Sequence, residues 1–98
     1  MKTKVKHYDG AEYLISEKQM AAYLEAALDD GEPSLIIQAL GTIAKARGMA
    51  QIARDTGLRR ESLYKALSPH GNPEFGTILK VVRALGIRFH AGKLKKAA

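Results

Sequence analysis

Five side chains that form strong hydrogen bonds lie together in one short stretch of the sequence. They are Arg59, Arg60, Glu61, Tyr64 and Lys65. An arginine can donate two parallel hydrogen bonds to guanine O6 and N7, and a glutamate can accept one from cytosine N4. A tyrosine hydroxyl can reach a phosphate, and its ring can cover a thymine methyl group. These residue types are suited to reading base edges in double-stranded DNA.

Each of these side chains also has a plainer interpretation. Arg60 and Tyr64 are one helical turn apart, so on a helix their side chains project together. Tyr64 could instead pack over a neighbouring helix, and Glu61 could pair with Arg60 or Lys65 rather than with a base. A short αα-hairpin with a charged outer face would show the same composition. The five residues alone leave these alternatives open.

The surrounding stretch, residues 49–68, has the spacing of two short helices joined by a tight turn, with helices over about 50–56 and 60–67. Gly57 stands at the turn, where glycine takes a left-handed backbone without strain. Small or apolar residues occupy the positions that would face inward: Ile52, Ala53, Leu58, Leu63, Ala66 and Leu67. This pattern predicts a helix-turn-helix, whose second helix enters the DNA major groove.

Three further helices are predicted around this pair. Their expected ranges are about 17–30, 33–47 and 73–85, the last with Asn72 as its N-cap. Gly41, inside the second of them, marks a close crossing with another helix. Their expected buried residues are Met20, Tyr23, Leu24, Ala27, Leu28, Ile36, Ala39, Leu40, Ile43, Phe75, Ile78, Leu79, Val82 and Leu85.

The remaining segments lie outside the helices. Residues 1–8 are expected to form a flexible arm or a short strand. Residues 87–91 alternate apolar and polar side chains, which predicts a short strand, and residues 92–98 are expected to form a disordered basic tail. The fold class is therefore all-α, a single domain over 1–98 with a helical core over 9–86 and a short C-terminal strand.

Charge is distributed unevenly along the chain. The net charge is +6, but residues 8–34 carry −6 and residues 35–98 carry +9. A basic region that contains the motif is typical of a protein that binds a polyanion, whereas the acidic third should face away from DNA. Five polar or basic residues are assigned to contacts with the DNA phosphates. They are Lys45, Arg47, Arg54, Ser68 and Lys80. Each of the four cations could instead simply be solvated.

Several functional classes find no support in the sequence. There is no cysteine, no glycine-rich phosphate-binding loop and no apolar run of about 18 residues that could span a membrane. The histidines are far apart in sequence: His7, His70 and His90. We therefore expect no catalytic site, metal, cofactor or small-molecule substrate. The N-terminus lacks a secretory signal pattern, and a cytoplasmic location is expected.

Two long stretches of the sequence resemble a known family. They read AAYLEAALDDGEPSLIIQALGTIAKARGMAQIARDTGL and RRESLYKALSPHGNPEFGTILKVVRALGIR. Both resemble the addiction-module antidote proteins, small HigA-like antitoxins usually encoded beside a RelE/ParE-type toxin. The resemblance covers about residues 8–91, and the helix order is similar to that of the lambda-repressor-like helix-turn-helix fold.

The resemblance implies a homodimer that binds its own operator, represses its operon and neutralises a small toxin. Arg59 and Ala50 depart from the family pattern, because a serine or threonine usually caps each motif helix. Arg59 would instead bring a charge near a phosphate. Two alternatives remain open from the sequence: a solitary helix-turn-helix regulator without a toxin, and a protein-interaction module that keeps the fold.

Charge and hydrophobicity suggest where the expected protein partners bind. A toxin that binds RNA should be basic, so four residues of the acidic third are expected to contact it: Glu25, Asp29, Asp30 and Glu32. A solvated acidic face without a partner would explain the same residues. Ile87 and Phe89, which are apolar and lie beyond the helical core, are expected to contribute to the dimer interface.

Overall fold

The computed structural model describes residues 16–94, and these contain five α-helices and no strand. The helices are α1 (Glu17–Asp30), α2 (Pro33–Arg47), α3 (Met49–Thr56), α4 (Arg60–Ala66) and α5 (Phe75–Ala84). The predicted number and order of helices are confirmed. The predicted arm over 1–8 and the last residues of the basic tail lie outside the described residues. Within the described range, no helix is both long enough and apolar enough to cross a membrane.

Local signals fix the boundaries of α1 and α2. The Ser16 side chain accepts a hydrogen bond of 3.0 Å from the Gln19 N–H and caps α1. Gly31 ends α1 in the left-handed conformation at φ 84°, and Pro33 occupies the first position of α2, where a missing N–H costs nothing. The short connection between the two helices leads them to pack against each other.

The hydrophobic core joins all five helices. Both α2 and α3 pack against three other helices: α2 contacts α1, α3 and α5, and α3 contacts α2, α4 and α5. By contrast, α1 packs chiefly against α2. The largest fully buried side chains come from every helix and from the C-cap of α5: Met20, Leu40, Ile43, Ile52, Leu63, Val81, Val82 and Leu85. The position of α4 is therefore set mainly by its contact with α3.

Gly41 lies where another part of the chain crosses α2 closely, as predicted. A Cβ atom at Gly41 would lie 3.0 Å from the carbonyl oxygen of Leu67, which is the C-cap of α4. A side chain at residue 41 would push this backbone away. The close approach at Gly41 thus holds the C-terminal end of α4 against α2.

The loop after α4 folds tightly onto the end of that helix. The Gly71 N–H donates a hydrogen bond of 2.8 Å to the Ser68 carbonyl oxygen. A Cβ atom at Gly71 would overlap the carbonyl oxygens of Lys65 and Ala66. Only glycine therefore fits at position 71 without a shift of the backbone.

Replacing Gly71 with alanine is expected to destabilise the fold by about 1–3 kcal/mol, because rigid backbone atoms must move to admit the methyl group. Gly76→Ala is a matched control, since a Cβ atom there meets nothing within 4 Å. It should be neutral or stabilise α5 by up to about 1 kcal/mol. Urea unfolding followed by circular dichroism measures both. If the Gly71→Ala variant were as stable as the wild type, the loop would have room for a methyl group at position 71.

The predicted C-terminal strand is wrong. Residues 87–91 are irregular, although Ile87 and Phe89 are half-buried and their neighbours Arg88 and His90 are exposed. The alternation thus reports which side chains face the core, but a strand also needs a partner to pair with, and residues 16–94 provide none. The Ile87 N–H instead donates to the Val82 carbonyl oxygen at 3.3 Å.

Two predicted helix starts also need correction. The last helix begins at Phe75 with Glu74 as its N-cap, because the first helical hydrogen bonds run from the Thr77 and Ile78 N–H groups to the Glu74 carbonyl oxygen. Asn72 and Pro73 lie in the loop that precedes α5. The third helix begins at Met49 with Gly48 as its N-cap. Ala50 is therefore not a capping residue.

Three residues that were expected in the core are exposed. Tyr23 is 42% exposed, Leu28 is 40% exposed and Phe75 is 63% exposed. Because α1 packs chiefly against one neighbour, it buries only a narrow stripe of its surface. Phe75 is the first residue of α5, whose buried residues, Val81 and Val82, lie nearer its C-terminal end.

Candidate nucleic-acid interface

The helix α4 presents nearly all of its side chains to solvent. Leu63 is its one buried residue, with no exposed surface. The residues predicted to read bases are all exposed on this helix or at its N-cap: Arg59, Arg60, Glu61, Tyr64 and Lys65. The structure therefore brings these five residues together on one short exposed element, as the sequence predicted.

The turn between α3 and α4 is fixed by hydrogen bonds. Gly57 has φ 79°, and its N–H donates to the Ala53 carbonyl oxygen at 2.9 Å. The Thr56 hydroxyl donates to the Ile52 carbonyl oxygen at 2.7 Å and accepts from the Leu58 N–H at 3.2 Å. The contribution of Thr56 was missed from sequence, although a threonine before a glycine turn is a recognisable signal.

The N-terminus of α4 lacks a side-chain cap. Arg59 occupies the N-cap with an extended backbone and makes no capping hydrogen bond, because a guanidinium group has no acceptor. A helix this short is not stable in isolation. The structure of α4 therefore depends on tertiary contacts, chiefly the burial of Leu63.

The polar side chains of α4 keep accessible surface for a partner. Tyr64 is 44% exposed, which leaves part of its ring and side chain in contact with solvent. Glu61 forms no ion pair with Arg60 or Lys65, since Arg47 with Glu17 is the one ion pair between described residues. The plainer interpretation of Glu61, an ion pair within α4, is thus not favoured.

The predicted phosphate-binding residues differ in their surroundings. Lys45 is exposed in the last turn of α2. The Arg54 guanidinium donates to the Gln51 side chain at 2.7 Å. Arg47 lies 3.8 Å from a Glu17 carboxylate oxygen. The Ser68 hydroxyl donates to a backbone carbonyl at 2.8 Å, so donating to a phosphate would require that bond to break.

Lys80 lines an open groove between the end of α3 and α5. The groove has a volume of about 540 Å³, and its walls include Asp55, Thr56 and Arg83. Arg83 was not among the predicted residues. Its spacing of three residues from Lys80 places both cations on one side of α5, and this spacing could have identified it from sequence.

The residues assigned to protein partners lie elsewhere. Exposed carboxylates surround the connection between α1 and α2, and they are Glu25, Asp29, Asp30 and Glu32. Near the C-terminus, Ile87 and Phe89 pack partly against the core. The ring of Phe89 stacks on the exposed Phe75, with 6.1 Å between the ring centroids.

Comparison with known proteins identifies a family for this chain. Residues 4–93 match the model of a family described as "Probable addiction module antidote protein". An uncharacterised protein of Haemophilus influenzae (strain ATCC 51907 / DSM 11121 / KW20 / Rd) is 51% identical over 89 residues, which cover 91% of this chain and 92% of that protein. No solved structure matches the chain.

Proposed function

This chain belongs to the family of probable addiction module antidote proteins, and from that premise we propose that it is a DNA-binding antitoxin. As a dimer it binds the operator of its own operon and represses transcription. It also binds and neutralises a small basic toxin of the RelE/ParE type. Both activities are binding rather than catalysis.

The exposed face of α4 is the observation that carries the DNA-binding part of this proposal. A single buried leucine anchors α4, while Arg60, Tyr64 and Lys65 are exposed on it. In the proposed complex, α3 and α4 act as a helix-turn-helix of the lambda-repressor-like kind. The N-terminal residues of α4 then contact base edges in the major groove.

Cations on the neighbouring helices support α4 in this arrangement. Lys45, Arg54 and Lys80 contact the DNA backbone, where charge matters more than shape, and Arg83 joins Lys80 on α5. Arg47 could contribute only if it left Glu17. These contacts position the protein, whereas sequence discrimination comes from α4.

Growth rescue tests the antitoxin part of the proposal. The small basic protein expected from the neighbouring reading frame is expressed alone and together with this chain in a bacterial host. We expect growth arrest by that protein alone and restored growth on co-expression. Arrest that persists despite soluble expression of this chain would contradict the antitoxin role.

Dimerisation is expected because one recognition helix reads only a few base pairs, and useful specificity requires two. The exposed Phe75, stacked on Phe89, provides an apolar surface for a symmetric contact that also includes Ile87. We expect a dimer by analytical ultracentrifugation at micromolar concentration. Phe75→Asp should shift this dimer toward monomer while keeping α5 intact, since an acid suits the first turn of a helix.

Ser34→Asp is the matched control for that variant. Ser34 is exposed in the first turn of α2, so the substitution adds the same charge at an equivalent helix position outside the proposed interface. This control should remain dimeric. A wild-type protein that sediments as a monomer both with and without DNA would rule out the dimer.

A further inference from the structure

A shallow groove lies between α1 and α2. It has a volume of about 230 Å³, and its walls include Tyr23, Ala26, Asp30, Leu35 and Gln38. Pockets for small molecules usually have volumes of about 300–1,000 Å³. This groove is smaller and open to solvent, and it suits one or two side chains of a protein partner better than a free ligand.

Apolar side chains from both helices are exposed at this groove. Tyr23 on α1 is 42% exposed, and Leu35 on α2 is 37% exposed. A single exposed apolar residue is ordinary on a protein surface. A tyrosine and a leucine that line the same groove can together anchor a partner, and tyrosine is among the residues that contribute most to protein interfaces.

The charge around the groove is of one sign. Residues 19–44 contain no lysine or arginine, and their four carboxylates are Glu25, Asp29, Asp30 and Glu32. Asp30 lines the groove itself. Within residues 16–94 none of the four carboxylates forms an ion pair. Such a surface attracts a partner that presents lysine or arginine side chains around an apolar one.

We infer that this groove is the surface on which the chain binds its toxin, an inference that rests on the proposed antitoxin function. The toxin inserts an apolar side chain between Tyr23 and Leu35, and its basic residues face the surrounding carboxylates. The groove lining comes from α1 and α2 and includes no residue of α4.

Binding kinetics with the purified product of the neighbouring reading frame test the groove. Tyr23→Ala removes the apolar anchor, and Ala26→Lys places a cation in the groove at an exposed helical position. Each should raise the dissociation rate about tenfold or more, since loss of a central contact acts mainly on dissociation. Ala22→Lys, at an exposed alanine one turn earlier on α1, should change this rate by less than about threefold.

The carboxylates should act on a different kinetic step. Reversing Asp29 and Asp30 to lysine is expected to lower the association rate at low salt, with a smaller effect as salt screens the charges. An association rate that is unchanged at low salt would show that the carboxylates do not contribute to toxin binding. Circular dichroism and operator affinity, both expected to equal the wild-type values, show that each variant is folded.

The outcomes separate this inference from the proposed function. If the neighbouring product fails to bind the wild-type chain, the antitoxin function itself is wrong, and the inference is overturned with it. If it binds Tyr23→Ala and Ala26→Lys as tightly as the wild type, the groove is not the docking surface, although the antitoxin function stands. Loss of the dimer in Ala26→Lys would identify the groove as a contact between two copies of this chain and would also overturn the inference.

Discussion

Replacing Leu63 with alanine is expected to cost about 2–5 kcal/mol of unfolding free energy. Leu63 has no exposed surface and is the one buried residue within α4. In a domain of this size each kcal/mol lowers the melting temperature by about 4–8 °C. Urea unfolding followed by circular dichroism gives the free energy, and a thermal scan gives the shift in melting temperature.

The same substitution should weaken binding to every DNA sequence, because α4 loses its anchor to the core. Leu28→Ala is the matched control, since Leu28 is a helical leucine that is 40% exposed. It should cost less than about 1 kcal/mol, as surface substitutions usually do. If Leu63→Ala were as stable as Leu28→Ala, burial of Leu63 could not be what holds α4 in place.

Replacing Arg60 with alanine is expected to cost about 1–3 kcal/mol of binding free energy on the operator and little on random DNA. Arg60 is exposed at the first position of α4, one helical turn before Tyr64. In the proposed complex it donates hydrogen bonds to base edges, which only the correct sequence satisfies. Fluorescence-anisotropy titrations on operator and scrambled duplexes measure this difference.

Lys45→Ala serves as the comparison, because Lys45 is an exposed cation on α2 assigned to a phosphate. It should weaken binding to both duplexes about equally and reduce the salt slope by about one unit. Circular dichroism must first show that both variants are folded. If Arg60→Ala lost affinity equally on both duplexes, Arg60 would contact a phosphate rather than a base. Tyr64 and Lys65 would then be the residues expected to contact base edges.

The helix boundaries that the sequence predicted correctly depend on local interactions. Ser16 caps α1 through an N–H three residues away, and Gly31 and Gly57 end helices through their own backbone conformation. Such signals need no knowledge of the rest of the fold. The strand over 87–91 could not be judged in this way, since a strand exists only if another part of the chain pairs with it.

Burial was harder to predict because it depends on how many neighbours a helix has. Tyr23 and Leu28 follow a regular apolar pattern, yet α1 packs chiefly against α2 and leaves both exposed. Five helices with suitable spacing do not specify how many neighbours each helix contacts. That α1 has one main neighbour, whereas α2 and α3 each have three, emerges only from the tertiary contacts.

The residues of α4 were predictable because Leu63 fixes which side faces the core and leaves the charged residues outside. Other features of the site depend on residues that are distant in the sequence. The pairing of Arg47 with Glu17 and the groove that holds Lys80 and Arg83 arise only when separate helices pack together. The groove beside Tyr23 was missed for the same reason.

Sequence-specific binding of DNA by α4 can be measured in a titration of the wild-type protein. Labelled duplex from upstream of the chain's own operon and a scrambled duplex of equal length are titrated at several salt concentrations, with binding followed by fluorescence anisotropy. We predict affinity for the upstream duplex about a thousandfold or more higher than for the scrambled one, with both affinities falling as salt rises. Equal affinity for the two duplexes at every salt concentration would show that α4 does not read a DNA sequence.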